Sequence, residues 1–210
     1  MEVTKSGVMA TNTLRVSGDR AKDSQELAVA DLSTALEAAD GLAWLDMRNP
    51  DADERKWLLA QGYHEMAVED CFKEPVPKAY VYDTHRFVIV RARDAVKEID
   101  TEFLCVFVTD DLLVTARHSA MPSVNNFAKR FGSRKIQRRV ELGAEYLLYE
   151  MLDAIADDWH RILGGYSARI DELEDRVFDP NTKHPDLLQD LHELKQDLRE
   201  ITKSVAPLHE

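Results

Sequence analysis

At 210 residues the chain is long enough to bury one substantial core and to carry an extension from it. Its 44% hydrophobic and 31% charged content is that of a water-soluble protein and argues against compositional disorder beyond the N-terminus. The balance of 39 Asp+Glu against 27 Lys+Arg leaves a net charge of −12, a field that repels nucleic acid and anionic lipid and attracts cations.

The longest apolar run, Phe103 to Val108, falls far short of the roughly 20 residues that a bilayer-spanning helix needs. Residues 1–10 lack the apolar core of a signal peptide. Cys71 and Cys105 have no CxxC spacing, so free thiols in a reducing, cytosolic compartment are expected.

Residues 1–24 are weakly patterned, with one strand around Thr13–Val16. Leu27, Leu32, Leu36 and Ala39 are spaced as helical turns that Asp40 and Gly41 stop. Leu42–Met47 reads as a short buried strand, and Asn49, Pro50 and Asp51 as a turn. Helices over Asp53–Gln61 and about Glu65–Phe72 follow, and Pro75 and Pro77 exclude helix. The β-branched and aromatic segments His85–Ala92, Thr101–Val108 and Leu112–Ala116 are strands, the last two joined as a hairpin at Asp110 and Asp111. The sheet is therefore expected to be mixed.

Beyond Pro122 the chain reads as helical. In Glu141–Leu163 the series Leu142, Tyr146, Tyr149, Leu152, Ile155, Trp159 and Ile162 steps by three and four, which predicts one buried face. Gly164 and Gly165 are expected to interrupt it before a helix over Ser167–Phe178 that Asp179, Pro180 and Asn181 end. A last helix opens at Pro185. Its apolar residues Leu187, Leu191, Leu194, Leu198, Ile201, Val205 and Leu208 alternate steps of four and three, the repeat of a helix–helix seam, with Pro207 placed to kink or end it. The fold class is thus α/β (α+β): a mixed sheet flanked by helices, then long antiparallel helices leading into a stalk helix. The organisation expected is an N-terminal segment 1–24, an α/β domain 25–140, and a helical part 141–210 that stops without a C-cap signal.

No GxSxG, P-loop, GxGxxG or HExxH motif is present, and the seven histidines are dispersed, so no enzyme reading has support. Two acidic constellations stand out. Glu69 and Asp70 are adjacent on a helix and point about 100° apart, which suits an ion shared with another element better than chelation by one chain. Glu150, Asp153, Asp157 and His160 recur at steps of three and four, on the face taken to lie opposite Leu152 and Ile155. Like charges at that spacing repel by a few tenths of a kcal/mol per pair, so they stay in water or are neutralised by a cation. Hard oxygen donors without clustered Cys or His suit Mg²⁺ or Ca²⁺ over softer metals. A further acidic face, Asp171, Glu172, Glu174 and Asp175, is read as solvated and cation-attracting.

These residues, taken in order, resemble the cytosolic part of the CorA magnesium and cobalt channels over roughly residues 40–210. Trp44 to Met47 with Asn49 and Pro50 looks like the family's first strand and turn, and Val68, Glu69 and Asp70 its Leu-Glu-Asp signature. Pro77, Lys78, Tyr82 and Phe87–Val90 resemble its Arg-Pro-Lys…Tyr…Phe-strand segment. Tyr146–Asp153 resembles its Leu-Leu-Tyr…Leu-Asp helix, Ile170–Val177 its acidic helix, and Leu194, Lys195 and Ala206–Leu208 the start of its stalk. Glu65 replaces a common Pro, and Pro75 and Val76 the usual Gln-Arg.

The resemblance implies a homopentameric funnel on the cytoplasmic side of the cell membrane, with the chain truncated before the membrane helices. It implies regulatory Mg²⁺, with Co²⁺ or other divalent ions in its place, bound between subunits at Asp70, Glu69 and Asp153 against a partner on a later part of the stalk. The partners implied are further copies of the chain and divalent ions; nucleic acid is not among them. A zinc-transporting relative and a soluble helical interaction module are the alternative readings.

Overall fold

The computed structural model describes residues 9–17, 24–96, 99–178 and 185–205. Seven strands form one sheet in the order β2-β1-β3-β7-β6-β5-β4: β1 (Thr11–Val16), β2 (Gln25–Leu27), β3 (Ala43–Arg48), β4 (Lys78–Val81), β5 (Arg86–Arg93), β6 (Thr101–Val108) and β7 (Leu112–Arg117). β3 and β7 are parallel and every other neighbouring pair is antiparallel, so the sheet is mixed as expected. Leu113 opposite Val108 sets the register of the β6–β7 hairpin.

Helices cover both faces. α1 (Leu32–Glu37), α2 (Ala52–Ala60) and α3 (Glu65–Asp70) lie on one side. There Leu32, Trp57, Leu58, Ala67 and Val68 pack on Leu45, Met47, Phe87, Ile89, Phe107 and Val114. α4 (Pro122–Phe131), α5 (Arg134–Gln137), α6 (Ala144–Phe178) and α7 (Leu187–Val205) belong to the other side. On that side Phe127, Phe131, Leu147, Met151, Ala154 and Ile155 pack on Trp44, Val90, Leu104, Val106 and Leu113. Successive strand residues alternate between the two cores, and coverage of both faces explains why the central strands read as unbroken apolar runs.

A polar cluster lies within the α6-side core. Arg117 donates through Nε and Nη2 to the two oxygens of Asp46 at 3.1 and 2.8 Å, and through Nη1 to the Ser119 carbonyl at 2.7 Å. Thr115 donates to Asp46 at 2.8 Å and accepts from the Trp44 indole at 3.1 Å. Asp46 and Arg117 are 6% and 4% exposed, so this bidentate pair joins the two parallel strands out of water.

Three expectations are corrected. Gln25–Leu27 is a strand and not a helical turn, because it caps the free edge of β1, with Leu27 opposite Asn12; helix begins only at a 3₁₀ turn, Val29–Asp31. Gly164 and Gly165 do not interrupt α6, a single helix of 35 residues. Each glycine costs about 1 kcal/mol relative to Ala. Packing of the flanking Ile162 and Tyr166, both 8% exposed, outweighs that cost, and Tyr166 donates to Asp197 of α7 at 3.1 Å.

The buried face of α6 keeps the expected Tyr146, Ile155, Trp159 and Ile162 but is otherwise shifted from the expected one. Leu142, Tyr149 and Leu152 are 56%, 57% and 36% exposed, whereas Ala144, Leu147, Glu150, Met151, Ala154 and Asp158 are buried. The neighbours of α6 carry cations toward it: Lys135 reaches Glu150 at 2.7 Å, and Arg93 reaches Asp158 at 3.0 Å. Acidic residues can therefore enter a face that an apolar series alone would not assign to the core.

α7 runs antiparallel along the far half of α6. Arg176 pairs with Asp190 at 2.6 Å, and Arg169 with Glu193 and Asp197 at 3.6 and 3.3 Å. Its expected seam is partly used, with Leu194 and Ile201 buried and Leu191 39% exposed. Pro185 lies in a turn just before the helix, while Asp179–Asn181, Pro207 and Leu208 lie outside the described residues, as does the side chain of Val205.

Candidate functional site

α3 positions the first acidic pair. His64 precedes it, and its Nδ1 accepts the Met66 N–H at 3.2 Å, which caps the helix. Val68 is fully buried against the sheet, which turns Glu69 and Asp70 toward the surface. Glu69 meets Lys73 at 2.5 Å, and that lysine holds its carboxyl below the usual carboxylate range. Asp70 meets Lys78 on the edge strand β4 at 2.7 Å, their side chains 22% and 29% exposed. The hydrogen bond to Asp70 raises the Lys78 ammonium.

Asp153 and Asp157 project from α6 toward α4 and share one guanidinium, Arg130, at 3.4 and 2.7 Å. That hydrogen bond pulls the Asp157 carboxyl down. Glu150, 1% exposed, is held by Lys135 and by the Tyr146 hydroxyl. Burial pushes its carboxyl up, but these partners outweigh burial and leave it below its ordinary value. Glu150, Asp153 and Asp157, expected to stay in water or to be neutralised by a cation, thus meet protein cations in a contact between α6 and the α4–α5 segment. Asp171, Glu172, Glu174 and Asp175 are exposed.

The seven-stranded sheet stands between the two constellations: α3 packs on one face and α6 on the other. One chain therefore does not bring Glu69 and Asp70 to Asp153. Among the described residues no three His, Cys, Asp or Glu side chains gather to hold a metal ion. The cationic partners Lys73, Lys78, Arg130 and Lys135 were not read as site residues from the sequence. Only the i,i+4 spacing of Glu69 and Lys73 carried a signal; Arg130 and Lys135 reach α6 through tertiary packing.

The cap of α3 is joined to a buried histidine. His64 stacks on Tyr82 at 4.4 Å, and Tyr82 on His85 at 4.8 Å. His85 is 5% exposed, its Nδ1 lies 3.0 Å from the Thr84 hydroxyl, and its Nε2 has no hydrogen-bond partner. Burial, with His64 nearby, pulls its pKa down. The unfolded chain therefore binds this proton more readily, and the stability tied to His85 is complete above about pH 6.5 and lost as pH falls through its lowered folded value. The melting temperature is expected to drop between neutral and mildly acid pH, and His85→Phe is expected to flatten that drop. Equal slopes in both proteins would remove His85 as the cause.

Residues 39–210 match the sequence family described as CorA-like Mg²⁺ transporter protein. The chain belongs to this family. The cobalt/magnesium transport protein CorA of Thermotoga maritima is 27% identical over 154 residues, which are 71% of this chain and 43% of that protein. The chain thus spans less than half the length of that relative. The soluble domain of CorA from Methanocaldococcus jannaschii superposes with a TM-score of 0.68 at 18% identity, covering 99% of this chain and 77% of that one. The cytoplasmic domain of ZntB from Vibrio parahaemolyticus has a TM-score of 0.56 at 13% identity, covering 94% of this chain and 78% of that one. At these identities the two structures show a shared CorA-type fold, the mixed sheet with its long helix. No described helix is long and apolar enough to cross a membrane.

Proposed function

We propose that this CorA-family chain is the cytosolic regulatory part of a homopentameric magnesium and cobalt channel, binding divalent cations between subunits to hold the pore closed. The observation that carries this reading is the membership over residues 39–210, together with partly exposed carboxylates at the end of α3. Glu69 and Asp70 of one subunit and Asp153 hold Mg²⁺ against carboxylates of a neighbour. The donor set fits, since Mg²⁺ prefers carboxylate oxygen, keeps several waters, and needs only one or two carboxylates per chain.

Support also comes from the cations already at these groups. Lys78 and Arg130 neutralise Asp70 and Asp153 within the chain, and their side chains, 29% and 38% exposed, form solvent-accessible pairs that a competing ion can displace. An ion bridging subunits takes over that neutralisation and adds a cross-link, which coupled to α7 becomes a switch. The sheet between α3 and α6 is compatible with sharing between chains, because neither carboxylate needs the other from its own subunit.

The test is thermal unfolding and limited proteolysis of the full-length pentamer across a Mg²⁺ titration. At a roughly hundredfold excess over Kd, linkage gives about 2.7 kcal/mol of stabilisation. Asp70→Ala with Asp153→Ala is expected to abolish it, and Lys78→Met, which frees Asp70, to lower the Mg²⁺ required. Stability independent of Mg²⁺ in the assembled wild-type protein would sink the reading. Flux of Zn²⁺ in place of Mg²⁺ would transfer it to zinc transport.

A further inference from the structure

From Lys129 to Arg139 this acidic chain turns basic: Lys129, Arg130, Arg134, Lys135, Arg138 and Arg139 fall there, with no Asp or Glu among them. Three of these cations are engaged within the chain. Arg130 holds Asp153 and Asp157, Lys135 holds Glu150, and the Arg139 guanidinium lies 5.5 Å from the Tyr146 ring centre. Lys129, Arg134 and Arg138 are exposed and make no ion pair among the described residues. Lys129 and Arg134 line an open hollow of about 440 Å³ with Ala128, Gly132 and Ser133.

A matching set of carboxylates lies elsewhere on the chain. Asp171, Glu172, Glu174 and Asp175 are exposed and also make no ion pair among the described residues, while Arg169 and Arg176 beside them are turned to α7. Arg134 and Arg138, four residues apart from the start of α5 to its C-cap, present charges at the same spacing as Asp171 and Asp175 on α6, about 5–6 Å between neighbouring side chains.

The two sets do not meet within one chain. The Lys135–Glu150 pair docks the basic segment on the first half of α6. At about 1.5 Å per residue Asp171 lies roughly 30 Å further along that helix. We infer that the basic face of Lys129, Arg134 and Arg138 docks on the Asp171–Asp175 stretch of a second copy of this chain. The contact is heterologous, one patch against a different one, and such contacts repeated around an axis close a ring. The inference rests on the oligomeric reading above and assigns it an interface.

Sedimentation velocity of the 210-residue chain tests this, using wild type, Arg134→Glu with Arg138→Glu, and Asp171→Arg with Asp175→Arg, each checked for an unchanged circular dichroism spectrum. Wild type is expected to self-associate at low salt and to dissociate near 1 M, where the Debye length is about 3 Å. Each reversal is expected to weaken association about tenfold, as two surface pairs lost and turned repulsive would do. An equimolar mixture of the two variants restores contact between unlike partners, because each then offers the complement of the other, while a closed ring with an odd number of subunits keeps one like contact. A monomeric wild type at every concentration, association in both variants equal to that of wild type, or a mixture that stays apart overturns the contact. So does association unaffected by either reversal alongside tripolyphosphate stabilisation that needs Arg134 and Arg138, which would make the face an anion site. The Mg²⁺ response of the same variants in the full-length protein separates this contact from the regulatory reading. A persisting response without restoration fails the contact alone, and a missing wild-type response with restoration fails the regulation alone.

Discussion

Asp46→Ala is expected to destabilise the protein by about 3–5 kcal/mol, read as a lower urea midpoint at unchanged slope. The substitution leaves Arg117, 4% exposed, charged and without its counter-ion, and it also removes the acceptor of the Thr115 hydroxyl. Domains are stable by about 5–15 kcal/mol in total, so the loss is a large share of what holds this one together. The double variant Asp46→Leu with Arg117→Met is expected to recover most of it, since the desolvation cost disappears with both charges. A single variant within 1 kcal/mol of wild type, roughly the worth of a surface pair, would mean that the pair is hydrated in solution.

Phe127→Ala is the second large effect, again about 3–5 kcal/mol. Phe127 is fully buried on α4, meets Trp44 edge-on with centroids 4.6 Å apart, and lies near Phe131 at 6.2 Å. It fills the space between the sheet and the helical layer, where close packing leaves little room for collapse. Trp44 is itself held by its hydrogen bond to Thr115, so it does not swing into the cavity. Phe127→Leu is expected to cost about half as much, which chemical denaturation resolves. A small loss in the alanine variant would show that α6 settles into the gap.

Most elements were legible because local periodicity and punctuation carry them. The apolar strands at Phe87–Val90 and Phe103–Val108 and the Asp110–Asp111 hairpin follow from residues within one element or its turn. The order of acidic and aromatic motifs along the chain also pointed to the family that the match over residues 39–210 shows.

Where the reading failed, distant residues decided. Gln25–Leu27 became a strand because β1, many residues earlier, presented an unfilled edge to it. The double glycine in α6 gave a true local signal, which packing of Ile162 and Tyr166 overrode. Glu150 and Asp158 entered a buried face because Lys135 and Arg93, from other elements, bring charge to them.

For the candidate site the division is the same. The sequence alone supplied the candidates for a hard divalent ion: carboxylates at Glu69 and Asp70 on a short helix and at Asp153 on a long one, with neither Cys nor His clusters beside them. Only the tertiary structure decided that a sheet stands between α3 and α6, and that Lys78 and Arg130 neutralise Asp70 and Asp153. The physical reason is range. Donor type and helical spacing are properties of a few consecutive residues, whereas the layer a helix joins and the charge it meets there depend on contacts between residues far apart in the chain.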